Sequence, residues 1–145
     1  MIKNYIFDFG NVLGHFCPEK LTEPFVQDEN LKKYISEIVF DRIYWDKLDH
    51  GTITDSEVKE CIKSRTPDDL KELACKVYDN WISSMTPVDG MQDLIYEISK
   101  TDKKLYLLSN TSTGFADGYK NVKWIKELLS LFDGLVFSAK INMFL

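Results

Sequence analysis

Only three stretches of this chain read as β-strands: Tyr5-Ile6-Phe7, Leu105-Tyr106-Leu107-Leu108 and Leu135-Val136-Phe137. Nothing strand-like lies between residues 14 and 104. Each run is continuously apolar, the pattern of parallel strands covered on both faces. Parallel strands need crossover connections, and the intervening sequence supplies helical stripes. Leu70, Leu73, Ala74, Val77 and Trp81 share one helix face, and Met91, Leu94, Ile95 and Ile98 repeat the pattern before the second strand. Val122, Ile125, Leu128 and Leu129 repeat it again before the third. The expectation is an α/β fold: a Rossmann-like parallel sheet core, three strands of it recognisable, with a small all-helical unit inserted after the first strand. Residues 1–13 would begin the core, 14–86 form the helical insertion and 87–145 complete the core.

Helix starts sharpen this outline. Thr54-Asp55-Ser56-Glu57 is a capping-box pattern, in which hydroxyl and carboxylate satisfy free backbone N–H groups. Thr66-Pro67 and Thr86-Pro87 each set a capping hydroxyl before a proline, predicting two further starts.

Composition narrows the partners. With 44% hydrophobic and 28% charged residues over 145 positions, the chain has the makings of one globular domain. A net charge of −5 without a Lys/Arg block argues against nucleic acid or an anionic membrane as partner. The first apolar run is broken by Asp8, too early for a signal peptide, and no run reaches membrane-spanning length, so a cytoplasmic location is expected. Cys17, Cys61 and Cys75 are widely spaced with no C-x-x-C, which predicts core thiols rather than disulfides or a zinc site. His15-Phe16-Cys17 offers two ligands, too few for zinc.

Two segments can carry chemistry. Phe7-Asp8-Phe9-Gly10-Asn11-Val12-Leu13 places a carboxylate at the end of an apolar strand, where ligands bind in open parallel sheets. A turn-capping aspartate fits the same residues equally well. Leu107-Leu108-Ser109-Asn110-Thr111-Ser112 ends a second strand in small donors suited to phosphate oxygens. An Asx or Ser/Thr turn is the plainer reading there, and the match of Asn110-Thr111-Ser112 to a glycosylation acceptor is read as accidental.

Together, the two segments resemble the haloacid dehalogenase-like hydrolase superfamily, which is dominated by phosphatases. Trp45 to Thr54 (WDKLDHGTIT) resembles a stretch of that family's helical cap. The resemblance covers almost the whole chain and is nearest to the sugar-phosphatase and epoxide-hydrolase N-domain-like branch carrying D-x-G-N-V. It implies Asp8 as nucleophile, forming an aspartyl-phosphate, with Mg²⁺ on Asp8 and the Gly10 carbonyl. Ser109 and the backbone around Asn110, with N–H groups near Phe9, Gly10 and Asn11, would hold the phosphoryl oxygens. The implied substrate is a small phosphorylated metabolite such as a sugar phosphate. Carbon–halogen hydrolysis by the same aspartate without a metal is the alternative within the fold. A non-catalytic binding or dimerisation module is the alternative outside enzymology.

Two departures from the family pattern stand out. The family's usual second aspartate, two residues after the nucleophile, is Gly10 here. General acid–base help is worth about 10²- to 10⁴-fold, so a slow enzyme or another proton path is expected, with His15 as a substitute acid or simply a solvent-facing residue. The family's lysine shortly after Phe137-Ser138, and its later metal-binding acids, do not occur before Leu145, and Lys140 comes too early. A truncated family member is therefore expected, with Tyr5-Ile6-Phe7 as an open sheet edge through which a homodimer would form. Phe16, Phe25, Tyr44 and Trp45 are expected in the helical unit, as packing residues or as the walls of an entrance.

Overall fold

The apolar runs do form the sheet. In the computed structural model, which describes residues 1–144, β1 (Asn4–Phe7), β2 (Lys104–Ser109) and β3 (Gly134–Phe137) are parallel and lie in that order. Phe7 stands opposite Leu107, and Leu107 opposite Leu135. Among the described residues β1 is therefore an edge strand. Between β1 and β2 the chain forms α1 (Pro18–Thr22), α2 (Glu29–Val39), α3 (Arg42–Asp49), α4 (Asp55–Arg65), α5 (Lys71–Asn80) and α6 (Met91–Ser99). Helices α7 (Thr113–Gly118) and α8 (Lys123–Leu129) connect β2 to β3, and α9 (Ser138–Ile141) follows.

Cover on both sheet faces was the expectation, and the structure overturns it. Residues of β2 alternate strictly between exposed and buried, and those of β1 between exposed and half-buried. Both crossovers step across the sheet in one direction, and right-handed connections of that kind put their helices on a single face. Accordingly, α6 packs against β2 and α8. Leu105 and Leu107 are buried beneath them, while Ile6 is 66% exposed on the other face beside Tyr106 and Leu108.

On the covered side one hydrophobic core runs from sheet to helices through stacked and edge-on rings. Phe9 meets Phe115 at 4.8 Å, Phe115 meets Trp81 at 5.8 Å, and Trp81 meets Trp45 at 5.1 Å. Aromatic residues dominate burial in so small a unit. The three cysteines are unpaired and half-buried. No helix among the described residues is long and apolar enough to cross a membrane.

Helix ends only partly follow the local signals. The capping box at Thr54 and Glu57 forms in both directions. Thr66 instead donates its hydroxyl to the Ile62 carbonyl at 2.7 Å and closes α4, and Pro67 leads into a 3₁₀ turn before α5. Thr86-Pro87 starts no helix. The His15 amide donates to the Thr86 carbonyl at 2.8 Å and the Val88 amide to that of Leu13 at 3.0 Å, which holds the segment extended. Helix α6 begins after Gly90, whose φ of 76° is open to glycine.

Candidate functional site

The turn after β1 is wound tightly around one acceptor. The Phe9 carbonyl accepts from Leu13 N–H at 2.8 Å, Gly14 at 3.1 Å and Val12 at 3.2 Å. Asn11 takes a φ of 57°, a region asparagine tolerates, and its side-chain oxygen accepts from Phe16 N–H at 2.9 Å. Gly14 admits no side chain, because a Cβ there would sit 2.8 Å from the Phe9 ring. Sequence thus fixes both the sharpness of the turn and its exit toward α1.

At the matching end of β2, Ser109 is 2% exposed. Ser112 accepts from Phe115 N–H at 3.1 Å and caps α7. The Thr111 amide donates to Ser138 Oγ at 2.9 Å, and that hydroxyl lies 2.6 Å from the Asp49 carbonyl and 3.3 Å from the Thr111 carbonyl. A single buried hydroxyl thereby joins β2, β3 and the end of α3. Gly51 completes the contact: a Cβ on it would meet the Ala139 carbonyl at 2.5 Å.

The two strand ends and α3 enclose a cleft of about 170 Å³. Phe9, Gly10 and Asn11 line it from the first turn and Ser109, Asn110 and Thr111 from the second. Phe16, Trp45, Trp81, Met85 and Phe115 supply its apolar walls, and Asp49 faces it from the end of α3. Of the residues singled out in the sequence, Phe9, Gly10, Asn11, Ser109 and Asn110 are brought together here.

Asp8 lies at the same end of the sheet but outside the lining. It follows the last residue of β1 and is exposed, whereas Ser109 is the last residue of β2 and is buried on the covered side. Its Oδ1 accepts from Phe9 N–H at 2.7 Å. The amides of Phe9 and Asn11 are engaged within the turn, the latter with the Gly14 carbonyl at 2.7 Å. His15 is exposed and does not line the cleft. Phe16 and Trp45 do line it, while Tyr44 is buried in the helical packing and Phe25 lies under the Lys76 ammonium. Lys140 pairs with Asp117 at 2.6 Å.

Asp49 was not singled out by sequence reasoning. Burial, with the nearby Asp46 charge, pushes its carboxyl up to about 6, against the opposing pull of His50 and Arg42. The WDKLDHG stretch held the residue, but nothing in it signals burial.

The oxygens that would be offered to a metal are those of the Asp8 carboxylate and the Gly10 carbonyl. No group of three His, Cys, Asp or Glu residues suited to a metal occurs among the described residues. Two hard oxygens are donors of the kind Mg²⁺ takes, since that ion usually keeps several waters beside one or two carboxylates.

No family model matches the sequence, and no curated protein does. Solved structures do. The L-2-haloacid dehalogenase from Xanthobacter autotrophicus superposes with a TM-score of 0.62 at 19% identity, over 99% of this chain and 60% of that one. A HAD family enzyme from Bacteroides thetaiotaomicron, in complex with magnesium and inorganic phosphate, gives 0.64 at 21% identity over 99% and 72%. A predicted HAD-like family hydrolase from Porphyromonas gingivalis gives 0.59 at 18% over 99% and 70%. The chain thus spans 60% of the length of the dehalogenase. A three-stranded parallel sheet with helices between its first two strands, matched over nearly every residue to these structures, establishes that the chain carries the haloacid dehalogenase-like hydrolase fold.

Proposed function

We propose that the chain is a cytoplasmic, Mg²⁺-dependent hydrolase of small phosphomonoesters, with sugar phosphates as the substrate class. The observation that carries this reading is the convergence of two strand-end turns, Phe9–Asn11 and Ser109–Thr111, on one small cleft. The Bacteroides structure, which holds magnesium and phosphate, is consistent with it.

In this reading an Asp8 carboxylate oxygen attacks phosphorus and forms an aspartyl-phosphate that water then hydrolyses. The Ser109 hydroxyl and the backbone around Asn110 hold the phosphoryl oxygens. Mg²⁺, held by Asp8 and the Gly10 carbonyl, would offset the repulsion between carboxylate and phosphate. Phe16, Trp45 and Trp81 exclude water and flank the carbon skeleton of the leaving group. Residues 14–86 act as the unit that sets specificity. A homodimer through the β1 edge is the association proposed with this activity.

The likeness to a haloacid dehalogenase and the apolar cleft walls favour a second reading, in which Asp8 displaces halide from carbon without metal. Both are tested by incubating the protein with nitrophenyl phosphate plus Mg²⁺ and, separately, with a 2-haloacid. Phosphate release that requires Mg²⁺ and is abolished in Asp8→Asn supports the first reading. Metal-independent halide release, lost in the same variant, replaces it with the second. Absence of both products from folded protein refutes the two together.

A further inference from the structure

We propose that Asp49 is a catalytic residue of the phosphomonoesterase reading, on which this inference rests: it donates the proton to the leaving oxygen and then serves as base for the hydrolytic water.

Expelling an alkoxide from phosphorus is slow unless the departing oxygen is protonated as the bond breaks. Among the described residues lining the cleft, Asp49 is the one with an ionisable side chain. Gly10 brings no side chain at all, and His15 is exposed outside the lining. Asp49 faces the cleft from α3, across from the strand-end turns that carry the proposed phosphate site. Its backbone carbonyl is anchored by Ser138 Oγ at 2.6 Å, while its carboxyl makes no hydrogen bond among the described residues. The carboxyl is thus held in place and left unoccupied, as a proton donor requires.

The surrounding charge suits the role. Asp46 and Arg42 of α3 and its cap residue His50 are the charged groups acting on Asp49; burial, aided by Asp46, outweighs His50 and Arg42 in keeping the proton on. The other cleft walls bring no ionisable side chain. Lys140 of α9, which packs against α3, is engaged with Asp117. A phosphate bound in the cleft would add negative charge beside Asp49 and favour its protonated form.

The step balances as follows. The Asp8 oxygen–phosphorus bond forms while the bond from phosphorus to the leaving oxygen breaks. The Asp49 proton moves to that oxygen, releasing a neutral alcohol and leaving Asp49 as carboxylate. In the second half Asp49 takes a proton from the attacking water, inorganic phosphate departs, and both aspartates return to their starting states.

The test compares wild type, Asp49→Asn and Asp49→Glu on an alkyl phosphate and on nitrophenyl phosphate, whose stabilised phenolate leaves without protonation. Asp49→Asn should lose on the order of 10²-fold in kcat/KM, which reports the phosphoryl-transfer half, on the alkyl ester and only a few-fold on the aryl ester. It should also lose the decline of kcat/KM above about pH 6 that the position of Asp49 predicts, and Asp49→Glu should retain that decline. Equal losses on both esters, or none, refute the donor role while leaving the hydrolase reading intact. No turnover of either ester by wild type refutes the hydrolase reading and the donor role with it. Independently of turnover, inorganic phosphate should raise the midpoint of the Asp49 carboxyl titration followed by ¹³C NMR. A midpoint unmoved by saturating phosphate refutes the placement of Asp49 at the phosphate site.

Discussion

Removing the Ser138 hydroxyl is expected to cost about 2 kcal/mol of stability, a large loss for one oxygen atom. Ser138 is fully buried. Its Oγ accepts from the Thr111 amide and is the partner of the Asp49 carbonyl. In Ser138→Ala the Thr111 N–H, in a residue only 9% exposed, is left without its acceptor, which costs about 1–3 kcal/mol. The Asp49 carbonyl borders the cleft and regains water, so its share is small. Against a typical domain stability of about 5–15 kcal/mol this is readily measured. In urea the midpoint should fall by about 1 M with an unchanged slope, taking a slope of about 2 kcal/mol per molar. Ser130→Ala is the control. That exposed hydroxyl donates only to the Glu127 carbonyl, and its loss should stay within about 0.5 kcal/mol. If Ser138→Ala unfolds with the control, the hydroxyl is not the fastening described here.

Gly51→Ala forces a Cβ into a left-handed residue and to 2.5 Å from the Ala139 carbonyl. A loss of more than about 2 kcal/mol is expected in thermal unfolding, and wild-type stability would contradict the close approach. The Asp49 carboxyl is raised to about 6 in the fold, so its contribution is fully present below the unfolded value near 3.8 and is lost as pH rises through about 6. Relative to wild type, Asp49→Asn should gain on the order of 1 kcal/mol between pH 4 and pH 8, after allowing for partial exposure; parallel pH–stability curves would refute this. Ile6→Lys, on the open sheet face, should change stability by less than about 0.5 kcal/mol and lower any self-association seen by sedimentation. An unchanged sedimentation profile would remove that face from the association.

The strands and helices α4, α5, α6 and α8 were legible because they rest on local signals. Tyr5-Ile6-Phe7 and Leu105–Leu108 are apolar β-formers, and Thr54 with Glu57 closes a cap within a single turn. The cluster of Phe9, Gly10, Asn11, Ser109 and Asn110 was legible too, since parallel strands deliver their carboxyl ends to one place. What stayed hidden depends on partners distant in sequence. Ile6, Tyr106 and Leu108 read the same whether or not anything covers them, so the open face could not be inferred from their apolarity. Thr86-Pro87 looks like a helix start until Leu13 and His15 claim its neighbours' backbone groups. Asp49 becomes an unusual acid only when α3 closes over the strand ends.

The crossing of the two chain segments beside the cleft has a mechanical consequence. Leu13 to His15 and Thr86 to Val88 run antiparallel, joined by His15 N–H to Thr86 and Val88 N–H to Leu13. Two rungs side by side tie the entry and the exit of helices α1 to α5 together, so parting these helices from the sheet must break the Phe115–Trp81 ring contact and the bonds of the Ser138 latch before the ribbon itself is strained. Hinge and latch therefore open at different free energies. In native-state hydrogen exchange the Thr111 amide should exchange through the cheaper event, and those of His15 and Val88 through the costlier one.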